Sequence, residues 1–413
     1  MSFKIKYDLV ILRILAFITI CLILLTGCSR GNQIYTYPNF DLLISSISPP
    51  QDVKMFADRN MLSNEDSTTY IIRKLASVLA INKDGEILSL LYDENFSKKS
   101  NFAFRVYPAI YIFDSASILR ETMKGFSASK VIEAERGYKI INADFNKKWV
   151  VWVEADTDKW KIYKFNRNTK EIKLLDEGQI LNLANDDFPV ISLYENQAVV
   201  NKNGKLDSQI LLFNFTNNTV KTLQKNDVKE KYYGPPKLDK ANMVWHVRDL
   251  SNGNSKIFLY DMTTEKISEI GSEQLNSEYP TIWGNYVAWM SRTSHQHEIQ
   301  LSVYDLKTEK IEFNTILNIE NKSLYYRPSI ANGKIAWYDL YSSYPIDCDI
   351  KYYKFETQEI NMFRVADVLD GIFLPNNLEI HDSWISYNHP PDMVPNPEHP
   401  TRIVGTLFWR INK

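Results

Sequence analysis

Short apolar runs separated by polar turns fill most of this chain, and their order repeats about every 47 residues. Each unit opens on a proline and a brief apolar run, as in Tyr279-Pro280-Thr281-Ile282-Trp283 and Arg327-Pro328-Ser329-Ile330-Ala331. A tight polar turn follows, Gly284-Asn285 in one copy and Asn332-Gly333 in the next, and then a run of the Val287-Ala288-Trp289 or Ile335-Ala336-Trp337 kind. After a variable loop comes a third run that ends aromatic-polar-apolar, such as Tyr304-Asp305-Leu306. A polar turn then leads into a fourth run. Positive-φ turn residues between short runs of β-branched and aromatic residues predict hairpins. Proline is tolerated at the start of a first strand, where no ladder donor is lost.

Two registers carry the same period. The prolines stand at 189, 236, 280, 328 and 375, in steps of 47, 44, 48 and 47. Tyr163, Phe213, Tyr260, Tyr304 and Tyr353 follow in steps of 50, 47, 44 and 49, and four of these five have Ile or Val seven residues on (Val220, Ile267, Ile311, Ile360). Four short strands in a repeat of this length predict one propeller blade. Trp152, Trp245, Trp289 and Trp337 recur at equivalent positions, which predicts inter-blade core.

The expected fold is therefore all-β: a β-propeller of four-stranded antiparallel blades, seven preferred, with six and eight left open. Residues 139–413 hold six clear units and 51–138 a degenerate blade or more. There Ser77–Ile81 and Glu86–Leu88 read as a hairpin about Asp84-Gly85, and Tyr107-Pro108-Ala109-Ile110 echoes the proline motif. The last unit offers only three strands, within 378–380, 384–387 and 406–410. An open edge invites unwanted pairing. A strand from residues 51–75 is expected to complete that sheet, with Val53-Lys54-Met55-Phe56 first in preference and Tyr70-Ile71-Ile72 second.

The combination of Pro-x-Ile, Val-Ala-Trp and a Tyr-Asp-Leu-x-Thr-x-Lys-Ile turn resembles the TolB-like (WD40-like, PD40-type) β-propeller repeat over about two-thirds of the chain. The Ser-Pro-Asp-Gly signature of that repeat is absent, and Trp283-Gly284-Asn285 or Ala331-Asn332-Gly333 stands at the turn instead. The resemblance implies the propeller architecture.

The amino terminus changes the picture of location. Lys4, Lys6 and Arg13 precede an apolar run at 14–25, which is too short to span a bilayer and suits a signal peptide. Leu25-Thr26-Gly27-Cys28 resembles a bacterial lipobox, so residues 1–27 are expected to be removed and Cys28 to be lipidated. Residues 28–50 then form a tether, and 51–413 the propeller. Such an anchor places the protein in the cell envelope, outside the cytoplasm. Net charge is −2; residues 1–27 carry a net +2, so the remainder stands at −4, with no basic tract for nucleic acid. Cys21 lies in the leader and Cys348 stands alone, which leaves no disulfide pair.

Candidate chemistry is sparse. Gly125-Phe126-Ser127-Ala128-Ser129 lacks the closing glycine of a nucleophile elbow. His295 and His297, two apart beside Glu298, are the metal candidates, yet zinc needs a third ligand; the pair His389 and His399 near Asp392 and Glu398 adds no more. Asp144, Asp239 and Asp382 fall near first strands of different blades and are the candidates for paired-carboxylate glycan chemistry. Trp283, just before its turn, is the candidate platform for a sugar or peptide. No cofactor is expected. The reading is a membrane-tethered, non-enzymatic binding or assembly module for an envelope protein, glycan or peptide; the alternative is a carbohydrate-active or other hydrolytic propeller.

Overall fold

The computed structural model describes residues 52–55, 57–60, 67–72, 75–82, 84–91, 109–114, 126–135, 138–180, 188–203, 207–226, 230–271, 276–292, 298–318, 327–343, 346–364, 378–381, 384–388 and 406–411. Cys28, the pair His295 and His297, and Asp382 lie outside the described residues.

Among the described residues, seven antiparallel sheets follow one another along the chain. Blade 1 takes strands 75–81, 86–91, 109–114 and 126–133; blade 2 takes 139–145, 149–155, 159–166 and 172–179. Blades 3, 5 and 6 begin with strands 191–194, 276–283 and 329–331 and have four strands each. In blade 4 the first strand is split into 231–233 and 237–239, both paired with 242–249. Pro235 and Pro236 lie in the gap, where a missing N–H removes ladder bonds. Blade 7 is built from 378–381, 384–388 and 406–411.

The first strands form the centre. Strand 75–81 lies beside 139–145, and that strand beside 191–194. The series continues through 237–239, 276–283, 329–331 and 378–381, which returns to 75–81. The ring is closed. Its closure uses the amino-terminal segment as expected, with a change of strand. Residues 67–72, which contain Tyr70-Ile71-Ile72, pair antiparallel with 406–411 and supply the fourth strand of blade 7. Residues 57–60 add a fifth. The first-preference segment, Val53-Lys54-Met55, instead pairs with Phe126–Ala128 at the outer edge of blade 1. One stretch of chain thus borders both sides of the seam. Residues 109–110 belong to the third strand of blade 1, so the Pro108 motif does not open a blade.

The repeating aromatic has a structural cause that also corrects one register. Phe213, Tyr260, Tyr304 and Tyr353 sit directly across from Val220, Ile267, Ile311 and Ile360. In blade 2 the equivalent pair is Phe165 and Ile172, and Tyr163 lies across from Leu174, two positions further from the turn. All five copies therefore keep an aromatic–β-branched cross-strand pair, the unit of sheet stabilisation. The turn between the partners is equally regular. Lys170, Asn218, Glu265, Glu309 and Gln358, each five residues after the aromatic, have φ between 55° and 63°. In blades 2 to 5 an Asx side chain at its head caps the turn, as where Asp261 accepts from Thr263 N at 2.8 Å and Asp305 from Lys307 N at 2.9 Å; blade 6 has Lys354 there.

The tryptophans lie between blades as expected. Trp152 joins a cluster with Leu88 and Ile110 of blade 1, Trp245 one with Val199 and Leu212 of blade 3, and Trp289 one with Val244 and Ile257 of blade 4. Each is at most 2% exposed. Three of the four indole N–H groups find acceptors, Glu154 Oε2 at 3.2 Å, Gln224 Oε1 at 3.0 Å and Ser291 Oγ at 3.1 Å, whereas that of Trp337 has no partner among the described residues. A buried indole donor left unpaired would cost about 1–3 kcal/mol.

Candidate functional site

The seven first strands surround a cavity of about 670 Å³. It runs from the strand starts, at Val190, Arg327 and Pro328, to the turns at Asn146, Glu195, Lys240 and Asn332. Its wall is partly polar because the inward edge of each first strand has no further strand to pair with. Those N–H groups need other acceptors.

The preceding blade provides them. Asn142 Oδ1 accepts from Ile191 N at 2.9 Å, and Asp144 Oδ2 accepts from Leu193 N at 2.8 Å. Ser192 Oγ accepts from Leu238 N at 3.0 Å, Asp239 Oδ2 from Gly284 N at 2.5 Å, and Ser329 Oγ from Ile380 N at 3.0 Å. A polar side chain on one first strand thus staples the backbone of the next. The sequence-selected acids Asp144 and Asp239 are both of this kind.

Their surroundings shift their titration. Burial pushes the Asp144 carboxyl up to about 6, against the opposing pull of Lys237 and of the Leu193 and Phe145 N–H groups. Burial raises Asp239 as well, with the Gly284 N–H opposing. Glu379, on the first strand of blade 7, lines the same cavity; burial raises it, while Lys237, Arg327 and a hydrogen bond with Ser329 pull the other way. The negative charge of Glu379 adds a smaller upward push on Asp144. Sequence reasoning missed Glu379, Lys237 and Arg327. The signal was available, for Lys237 and Glu379 stand at the starts of first strands and Arg327 directly precedes Pro328.

Trp283 ends the first strand of blade 5 and borders the cavity near its turn end. It is half-buried, leaning on the cluster shared by blades 5, 6 and 7, and its ring reaches the turn at Gly333. It forms part of the cavity wall.

A second polar group lies where blades 4 and 5 meet. Glu278 is buried and takes Arg248 Nη2 at 2.5 Å and Ser255 Oγ at 2.8 Å on one oxygen. His246 is buried beside it, and its Nδ1 accepts from Tyr279 N at 3.3 Å. Burial lowers the imidazole to about 3, so it is neutral, with its proton on Nε2. Tyr279 has φ of 54°, an unusual conformation for an aromatic residue, just before Pro280. A Cβ on Gly234 would collide with the His246 ring, which explains glycine there. Among the described residues, no three His, Cys, Asp or Glu side chains are grouped closely enough to share a metal ion.

Comparison with solved structures bears on the fold. An oligogalacturonate lyase in complex with manganese aligns at a TM-score of 0.57 and 8% identity, over 89% of this chain and 99% of the other. An oligogalacturonate lyase from Vibrio parahaemolyticus aligns at 0.57 and 9%, over 88% and 98%. TolB from Acinetobacter baumannii aligns at 0.45 and 12%, over 78% and 81%. No family model and no curated relative matches the chain. At such identities the lyase likeness is one of fold, and the fold is the β-propeller that the TolB-like repeat pattern implied.

Proposed function

We propose that the chain is a lipid-anchored protein of the bacterial cell envelope whose propeller is a non-enzymatic binding module. The observation that carries the binding reading is the state of the channel acids. Asp144 and Asp239, the described candidates for acid–base work, each hold a backbone N–H of the neighbouring blade. An acid fixed in that way supports the ring and is poorly placed to move toward a scissile bond. Rigid sheets beneath turns from every blade suit recognition.

The anchor rests on the amino-terminal pattern, with Cys28 as the lipidated residue. Its test is direct. In cells fed labelled palmitate, the native chain should carry label and sediment with membranes. Cys28→Ala should lose both, and label retained by that variant would reject the anchor.

A carbohydrate-active propeller is the second reading. It is favoured by the presence of Asp144 and Glu379 in one cavity, each with its carboxyl raised by burial. Paired acids with shifted titration are a recurring feature of glycoside cleavage.

A further inference from the structure

Charge balance inside the channel restricts what it can hold. Lys237 acts electrostatically on both Asp144 and Glu379, and Arg327 acts on Glu379; Asp239 lines the same cavity, and Asp84, Lys147, Lys148, Glu195 and Lys240 stand at its turn end, so both signs of charge face the space in equal number. A cationic ligand would meet Lys237 and Arg327. An anionic one would meet Asp144 and Glu379. An apolar one would cover these groups without hydrogen bonds, which is costly for charged groups. Hydroxyl groups fit, because each donates to a carboxylate and accepts from an ammonium or guanidinium.

The acceptor capacity is there. Asp144 uses one site on each oxygen, for Phe145 N at 2.7 Å and Leu193 N at 2.8 Å. A carboxylate has about four acceptor sites, so a donor from the channel can still be taken. Near the turn end, Trp283 and Tyr194 give the wall aromatic surface. A sugar ring, apolar on one face and hydroxylated at its edge, matches such a mixed wall. The volume of about 670 Å³ lies within the usual range of small-molecule pockets, roughly 300–1,000 Å³.

We propose that the propeller channel is a binding site for an uncharged, hydroxyl-rich small molecule of mono- to disaccharide size, held between Lys237, Asp144, Glu379 and Trp283. This rests on the reading of the propeller as a binding module and names its ligand class.

The full-length protein in detergent is titrated calorimetrically with maltose, cellobiose and lactose. Digalacturonate and chitosan dimer serve as anionic and cationic comparators, and tryptophan fluorescence is followed in parallel. At least one neutral disaccharide should bind one-to-one, at least about tenfold more tightly than either charged dimer. Lys237→Met should weaken it by at least about tenfold with the unfolding midpoint retained, and Trp283→Ala, which also loses packing against the shared cluster, should weaken it as much when titrated well below its own midpoint. If Lys237→Met unfolds, the preference for neutral over charged dimers on the native chain still decides. No heat with any neutral sugar, as for a channel that holds only ordered water, overturns the proposal. So does equal or tighter binding of a charged dimer, or binding indifferent to both substitutions. Recovered sugar separates the two claims. A sugar that binds and is chemically altered leaves the ligand class standing and rejects the non-enzymatic reading. A chain that binds no sugar yet captures a purified envelope protein through another face does the reverse.

Discussion

Replacing Asp144 by asparagine should change how stability depends on pH, and the size of the change follows from its place in the ring. Burial raises the carboxyl from an ordinary value of 3.8 to about 6. Between those values the unfolded chain has released the proton while the native chain keeps it. The native state then binds more protons, so stability falls as pH rises through the window. The contribution is complete below the unfolded value and gone above the folded one. A difference of about two units, at about 1.4 kcal/mol each, amounts to roughly 3 kcal/mol. A side-chain amide has no proton to lose in this range, so the slope should vanish in Asp144→Asn. The amide turns an N–H toward one of the two former donors, Leu193 N or Phe145 N, which adds a pH-independent cost of about 1–3 kcal/mol. Glu379 titrates in the same direction in both proteins and largely cancels in the comparison. Denaturant unfolding followed by tryptophan fluorescence, from about pH 4 to about pH 7, measures the difference curve. The native chain should lose roughly 3 kcal/mol relative to the variant across that range. Parallel curves would show that Asp144 is open to solvent, and the staple between blades 2 and 3 would be rejected.

One further substitution and one deletion probe the ring. Trp289→Ala removes an indole that is 2% exposed and wedged against blade 4, and should destabilise by about 3–5 kcal/mol in thermal or denaturant unfolding; an unchanged midpoint would place that side chain at the surface. Deleting residues 67–72 removes the strand that joins the two ends of the chain in blade 7. Amide protection should then fall even in distant strand 242–249 of blade 4, whereas fraying confined to blades 7 and 1 would show that closure contributes little to the whole.

Much of the fold was legible because each signal came from local, repeated chemistry. The cross-strand aromatic pair and its left-handed turn recur in five blades, so they stood out against the variable loops. The one register error, Tyr163 for Phe165, arose because Tyr163-Lys164-Phe165 fits the aromatic-polar-apolar pattern while Phe165-Asn166-Arg167 does not, although Phe165 is the residue that pairs with Ile172. Closure was foreseen from the missing fourth strand of blade 7. Which segment supplies it was not, since Val53-Lys54-Met55 and Tyr70-Ile71-Ile72 have similar strand character and only tertiary pairing separates them. Asp144 and Asp239 were found, but their role was hidden. An acid that accepts a neighbouring strand's N–H and one that protonates a substrate look alike in sequence. Lys237, Glu379 and Arg327 went unnoticed because residues from blades 4, 6 and 7 meet only once the ring is formed.

Whether the channel acids hold the ring or perform chemistry is decided most directly by mass spectrometry of glycans incubated with the full-length protein. Neutral and uronate-containing oligosaccharides would be analysed after prolonged incubation, beside the Asp144→Asn and Glu379→Gln variants. The account predicts that every oligosaccharide is recovered at its original mass with all three proteins. Shortened or unsaturated products from the native chain that disappear in either variant would contradict it.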